Sequence, residues 1–233
     1  MVLERYIEAS GGKAAFTNVK TVTMTGTMEI KAQGVKAEMK LYRADGGKTY
    51  TVFELPGFGK QEDGSDGTVV WDKTVLGPRL KSGAEKFLAT CAKSAIGTEY
   101  APSAVDMASC YDKAIISGVE IVDGRAAYRL VLTPKQGKPQ EQWFDKETGL
   151  LKKLRMTLPS PMGELPMSVV FDEYKAIDGL LTPVRMTNQM GPLQMTLSFS
   201  EVLYNAKIPD QIFALPPEIQ ALVNAEAKPA KKN

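Results

Sequence analysis

The sequence predicts a mainly β protein, in which a single antiparallel sheet carries most of the 233 residues and helices are few. Apolar and polar residues alternate with a period of two along most of the chain, as on strands that bury one face. Asp-Gly dipeptides, which favour tight hairpin turns, separate these segments. No linker divides the chain, and all-β domains of roughly 200–250 residues commonly form one unit.

The first segment predicts a helix with a break. Leu3, Tyr6 and Ile7 recur at helical spacing and form one apolar stripe, and Gly11-Gly12 interrupts the helix before a short second turn that ends at Phe16. From residue 21 the period changes to two, which begins the sheet.

About ten or eleven strands follow, and they meander through the rest of the chain. In order they are 21–31, 36–43, 48–54, 68–72, 115–122, 126–133, 140–144, 150–158, 167–177, 180–190 and 193–200. A loop rich in proline and glycine, containing Pro159, Pro161, Gly163 and Pro166, is expected before the strand that starts at residue 167.

Two helical segments interrupt the strands near the middle of the chain. They are 84–95 and 103–111, with Ser103 as the expected N-cap, and a further short helix is expected at 218–225. The lysine-rich end predicts a frayed, solvated tail. The predicted organisation is therefore one domain over 1–227 and a flexible basic tail over 228–233.

The predicted sheet is expected to enclose a cavity. A sheet of this many strands curls or closes on itself, and its apolar face then surrounds an interior. Few helical residues are available to fill that interior. Methionines are frequent on the predicted strands, and their flexible side chains suit surfaces that accept varied apolar ligands, although ordinary core packing is the alternative for any one of them.

Composition excludes several classes of function. Lys+Arg number 29 against 27 Asp+Glu, so the net charge of +2 is too balanced for a nucleic-acid binder. The absence of histidine removes the usual general base, the His-activated nucleophiles and zinc sites that need imidazole. The adjacent carboxylates Asp172 and Glu173 point to opposite faces of a strand. We therefore expect no enzyme activity, cofactor or metal.

The two cysteines, Cys91 and Cys110, allow two interpretations. They form a single disulfide, as suits an exported protein, or they are reduced and buried on helical turns. A bridge would close a loop of about 20 residues and contribute roughly 3 kcal/mol. The first residues lack the pattern of a signal peptide, and a signal removed ahead of them remains compatible with the sequence.

Five short motifs carry a resemblance to a known family. They are Tyr6–Gly12 followed by Val22–Met28, Leu41-Tyr42-Arg43 followed by Tyr50–Phe53, the D-G-x-x-x-W pattern at Asp66–Trp71, the D-x-x-T-G-L pattern at Asp145–Leu150, and the F-x-x-P pattern at Phe213–Pro216. Together with the order of helices and strands, they resemble the periplasmic LolA/LolB-type lipoprotein carriers.

This resemblance implies a single curved antiparallel sheet forming an unclosed half-barrel lidded by helices. It also implies a non-enzymatic periplasmic carrier whose apolar cavity binds lipoprotein acyl chains or another amphiphilic lipid, with a membrane protein as donor or acceptor. Arg43 matches the arginine that helps to hold the lid, although Ala44 follows where the carriers usually have proline. The alternative is a sensor or regulatory module of the same fold that binds protein.

The expected ligand-binding residues share one strand parity, because successive side chains on a strand alternate between faces. From the early strands they are Met24, Met28, Met39, Leu41 and Arg43, and from the later strands Leu154, Met156, Met195, Leu197 and Phe199. An N-terminal cysteine for lipid attachment is absent from the sequence, which favours a soluble carrier over an anchored acceptor. A bridge between Cys91 and Cys110 is expected to tie the helical insertion together.

Overall fold

A computed structural model describes residues 2–57, 59–91, 107–160 and 163–227, and one sheet of 13 strands dominates them. The strands are β1 (Thr21–Ile30), β2 (Val35–Ala44), β3 (Lys48–Leu55), β4 (Gly59–Asp66), β5 (Val70–Thr74), β6 (Gly77–Leu80), β7 (Tyr111–Val122), β8 (Arg125–Pro134), β9 (Gln140–Asp145), β10 (Leu151–Ser160), β11 (Gly163–Ile177), β12 (Leu180–Met190) and β13 (Leu193–Tyr204). The helices are α1 (Val2–Ala9), α2 (Lys13–Asn18), α3 (Gly83–Cys91), α4 (Met107–Cys110) and α5 (Pro217–Glu226).

The sheet is antiparallel and its two edges stay apart. Each strand pairs with its neighbour in sequence, except that β1 pairs with β13 and so joins the two halves of the chain. The order is β6-β5-β4-β3-β2-β1-β13-β12-β11-β10-β9-β8-β7, with β6 and β7 at the edges. The sheet is therefore not closed into a barrel, which confirms the predicted fold class.

Side chains alternate between the inner and outer faces of the sheet, as the sequence predicts. Along β1 every second residue is buried, from Val22 to Ile30. Opposite residues of an antiparallel pair lie on the same face, so these buried residues continue laterally into β2 and β13. A bulge at Thr25 and Gly26 shifts the pairing of β1 with β13, and bulges bend and twist a sheet.

Helices and the C-terminal segment cover parts of the sheet. The ring of Tyr6 on α1 contacts Phe16 on α2 and Phe144 on β9. The C-terminal segment runs back to β3, β4 and β6, where Phe213 and Ile219 are buried. The two terminal segments therefore pack against different parts of the same sheet.

Two strands were not predicted from the sequence. β4 has the polar sequence Gly-Lys-Gln-Glu-Asp-Gly-Ser-Asp, which lacks the apolar alternation used to assign strands. β6 is a short edge strand that contains Pro78, a residue that sheets accept at edges. β4 pairs with β3, and β6 pairs with β5, so both segments are strands although their own residue patterns do not predict them.

The structure corrects two of the predicted boundaries. The loop expected over 159–166 is wrong for its described residues, because β10 and β11 pair there, with Thr157 opposite Pro166 and Leu158 opposite Leu165. Residues 161 and 162 lie outside the described residues. Tyr111 was predicted to end a helix but begins β7, where its hydroxyl donates to Gln140 Oε1 at 2.6 Å. The helical residues predicted at 92–95 and 103–106, including Ser103, and the tail 228–233 lie outside the described residues.

Candidate ligand-binding cavity

The inner face of the sheet surrounds a cavity of about 390 Å³ that is partly open to solvent. Ligand sites in proteins typically measure about 300–1,000 Å³, so this volume suits a small ligand. Strands β1–β4 and β10–β13 form most of the wall, and α1, α2 and α3 contribute Tyr6, Phe16 and Ala89. These helical residues were not predicted, because the alternation of side chains between two faces applies to strands alone.

Methionine dominates the apolar part of the wall. Seven of the 11 methionines line the cavity: Met24, Met28, Met39, Met167, Met186, Met190 and Met195. Their thioether side chains have several rotatable bonds and adapt to ligands of different shape. The wall is therefore suited to a flexible hydrocarbon.

The structure brings nearly all the predicted site residues together. Met24, Met28, Met39, Leu41, Arg43, Leu154, Met195, Leu197 and Phe199 all lie in the cavity wall. Met156 does not: it is buried in the cluster beside the cavity, paired in register with Met167. Parity assigns a face of the sheet but not a position along it, which explains this difference.

A group of polar side chains forms one part of the wall, on β2, β3 and β4. Arg43 lies opposite Thr49, and Thr51 lies opposite Asp63; all four line the cavity. Charges in a largely apolar enclosure require partners or water. This part of the cavity can therefore hold the polar end of an amphiphile, with the methionines around its apolar end.

Tyr6 forms another part of the cavity wall. Its ring centroid lies 6.3 Å from that of Phe16 and 5.4 Å from that of Phe144, both in edge-to-face geometry. Burial raises the pKa of Tyr6 to about 12, so its hydroxyl is neutral at physiological pH. The guanidinium of Arg5 donates to the carbonyl oxygen of Glu147 at 2.7 Å, which fixes α1 to the β9–β10 turn.

Cys91 and Cys110 are joined by a disulfide, with Cα atoms 5.2 Å apart. This distance is within the usual range for a bridge. The bridge connects the end of α3 to the end of α4, directly before β7, and Cys110 is fully buried. Because Ala89 on α3 lines the cavity, the disulfide also holds part of the cavity wall.

Two features are absent from the residues that the structure describes. Within 2–57, 59–91, 107–160 and 163–227, no group of three or more His, Cys, Asp or Glu side chains is arranged to hold a metal ion. In the same part of the chain, no helix has the length and apolar character needed to cross a membrane.

No protein-family model and no curated protein sequence matches the chain. Solved structures do match in fold. A DUF1329 family protein from Desulfovibrio piger is 19% identical over 91% of this chain and 95% of its own, with a TM-score of 0.59. A LolA superfamily protein from Nitrosomonas europaea is 16% identical over 92% and 96%, also with a TM-score of 0.59.

A third structure, an outer membrane lipoprotein-sorting protein domain from Vibrio parahaemolyticus, is 19% identical over 91% of this chain and 95% of its own, with a TM-score of 0.59. These matches place the unclosed sheet of this chain in the same fold as the three solved structures. The chain has a LolA-like fold, which confirms the resemblance indicated by its motifs. At these identities the likeness concerns fold and leaves function to be argued from the site.

Proposed function

We propose that this protein is a non-enzymatic periplasmic carrier that binds an acyl chain, from a lipoprotein or another amphiphilic lipid, in the cavity. The observation that carries the proposal is the methionine-rich wall inside an unclosed sheet. The LolA-like fold of the lipoprotein-sorting domain from Vibrio parahaemolyticus supports it at the level of architecture.

The chemistry of the wall favours a hydrocarbon ligand. Each buried methylene contributes about 0.8 kcal/mol, so a chain of about ten methylenes gains roughly 8 kcal/mol before the cost of association is subtracted. Such binding needs few directional contacts. Because the cavity is partly open, the acyl chain can also pass between it and a membrane-protein donor or acceptor.

The proposal assigns no chemical reaction to the cavity. The sequence has no histidine, which is the usual base that activates a hydroxyl nucleophile, and the cavity wall contributes the polar residues Arg43, Thr49, Thr51 and Asp63. Their role in the proposal is to accommodate the polar end of the ligand.

A second candidate function, a protein-interaction module, is favoured by edge strand β7. Ile116, Val119 and Ile121 are 46%, 50% and 71% exposed. They pair with Leu130, Tyr128 and Ala126 of β8, so they extend the inner apolar face to the edge of the sheet. Exposed apolar edge strands are sites where another chain can add a strand.

Native mass spectrometry of protein purified from cells tests the carrier directly, because a co-purified lipid adds a defined mass. Displacement of a fluorescent fatty acid then tests the cavity. Met195→Glu and Leu197→Glu place a charge in the wall and are expected to weaken binding at least tenfold with a modest loss of stability. Thr196→Glu, on the opposite face of the same strand, is the matched control and should bind like the wild type.

Two results contradict the carrier. One is a wild-type protein that carries no lipid and binds no fatty acid. The other is unchanged affinity in both wall variants. Under either result the interaction module becomes the better explanation, and Val119→Lys on β7 would then be expected to reduce capture of a protein partner.

A further inference from the structure

Asn188 places a carboxamide in an otherwise apolar part of the cavity wall. On β12 it lies between Met186 and Met190, which share its strand parity. Across the sheet it is opposite Val169 of β11 and Met195 of β13. All four neighbours line the cavity, so the amide is surrounded by hydrocarbon and thioether groups.

The carboxamide oxygen of Asn188 lacks a partner. Its Oδ1 atom is buried and accepts no hydrogen bond from any described residue. Four buried side-chain atoms of the described residues share this condition, and Asn188 is the one whose residue lines the cavity. A buried acceptor without a donor destabilises a folded protein, whereas an apolar side chain of the same shape would not. Fold stability therefore does not explain an asparagine at this position.

We propose that Asn188 recognises an acyl chain that is joined to its head group by an amide, an inference that rests on the proposed carrier function. A secondary amide presents one N–H donor and one carbonyl acceptor, and the side chain of asparagine presents the complementary pair. The χ2 torsion of asparagine is broad, and the proposal requires that rotation about it turn Oδ1 toward the ligand. A plain hydrocarbon or an ester supplies no donor to this oxygen.

The test uses two probes that differ in one group. N-Dodecanoylglycine contains the amide, and O-dodecanoylglycolic acid replaces its N–H by an ester oxygen while keeping the chain and the carboxylate. Affinity is measured by displacement of a fluorescent fatty acid. The wild type is expected to bind the amide probe about tenfold more tightly than the ester probe, the size of one hydrogen bond.

The replacement Asn188→Leu should bind the two probes equally and raise the melting temperature, because it removes the unpartnered oxygen. Asn188→Met, which repeats the neighbouring residue type, provides a second replacement if leucine packs poorly. Gln189→Leu is the control, since Gln189 lies on the opposite face of β12 and donates to the carbonyl of Gly191. It should keep the preference for the amide.

The outcomes separate this inference from the carrier proposal. If the wild type binds both probes with equal affinity, the carrier stands and the role of Asn188 is overturned, with water as the partner of Oδ1. If the wild type binds neither probe, the carrier itself is overturned. If both replacements lower the melting temperature and weaken both probes alike, Asn188 is a structural residue and the inference fails.

Discussion

Tyr6 of α1 and Phe144 of β9 pack edge to face, with ring centroids 5.4 Å apart and ring planes at 61°. This contact joins the first helix to a strand in the second half of the chain, and Phe16 of α2 also packs edge to face with Tyr6. Because Tyr6 also lines the cavity, the same side chain forms part of the cavity wall and stabilises the fold. Aromatic pairs of this kind contribute about 0.5–1.5 kcal/mol beyond area burial.

The first prediction concerns alkaline pH. Burial raises the pKa of Tyr6 to about 12, above the value of about 10 in an unfolded chain. The unfolded state therefore loses its proton first. The contribution of Tyr6 to stability is fully present below pH 10 and is lost as the pH rises from about 10 to 12. The total loss in the free energy of unfolding is roughly 2–3 kcal/mol.

Denaturant unfolding at several pH values, followed by tyrosinate absorbance, measures this loss. Tyr6→Phe keeps the ring and removes the titrating group, so the fall between pH 10 and 12 should be smaller in this variant. Burial also raises the pKa of Tyr111, so part of the alkaline loss should remain. An identical pH profile in wild type and Tyr6→Phe would contradict the assignment.

The second prediction concerns the turn after β9. Asp145 Oδ1 accepts the backbone N–H groups of Glu147 and Thr148 at 2.8 Å each, and its Oδ2 lies 2.6 Å from Arg125 Nε. Burial acts to raise the pKa of Asp145, but these hydrogen bonds and the Arg125 charge outweigh it and hold the pKa below its usual value. Asp145→Ala should lower the free energy of unfolding by about 2–4 kcal/mol at neutral pH.

The stability that Asp145 provides should disappear in acid. A lowered carboxyl pKa stabilises the fold above the unfolded pKa of about 4, and the benefit is lost as the pH falls through the folded-state value. The difference in the free energy of unfolding between the wild type and Asp145→Ala should therefore become smaller below pH 4. Glu147→Ala is the control: this carboxylate also meets Arg125 but its side chain is 86% exposed, and its removal should change stability by less than about 0.5 kcal/mol.

The same turn shows what sequence can establish. In the D-x-x-T-G-L motif, the aspartate receives the turn N–H groups, and Gly149 adopts a φ of 78° that favours glycine. Asp66 accepts the N–H groups of Thr68 and Val69 in the same manner, next to Gly67 at a φ of 96°. Such turns are local, so their residues indicate them without knowledge of the fold.

Features that depend on distant parts of the chain could not be predicted from the sequence. β4 is a strand because β3 and β5 pair with it on both sides, although its own residues are mostly polar. Met156 has the predicted parity but lies beside the cavity rather than in its wall. Asn188 gave no signal in the sequence, because an asparagine on a strand is informative only once its buried, unpartnered oxygen is known.

The third prediction concerns the disulfide. Cys91 and Cys110 are 19 residues apart, and closing a loop of that length removes conformational entropy from the unfolded chain worth about 3 kcal/mol. The double replacement Cys91→Ala/Cys110→Ala should lose about this much stability in denaturant unfolding. Wild-type protein in reducing buffer should unfold at a similar denaturant concentration, whereas the double variant should be insensitive to reductant. A reductant effect of equal size on both proteins would show that the bridge is not its cause.

The fourth prediction concerns the bulge between β1 and β13. At Gly26 the two strands approach so closely that a Cβ atom would meet the carbonyl oxygen of Ser198 and lie 2.9 Å from the Cα atom of Phe199. Both are backbone atoms, so the strands themselves would have to separate. Gly26→Ala should therefore lower the free energy of unfolding by about 1–3 kcal/mol, the usual cost of overpacking.

Because Phe199 lines the cavity, separation of the strands should also alter the wall and weaken fatty-acid binding. Thr27→Ala is the matched control, since Thr27 is the next residue on β1 and points to the outer face. It removes atoms without touching the bulge and should leave fatty-acid affinity unchanged. If Gly26→Ala is as stable as the wild type, the close approach of β1 and β13 is relieved at no cost, and this prediction is wrong.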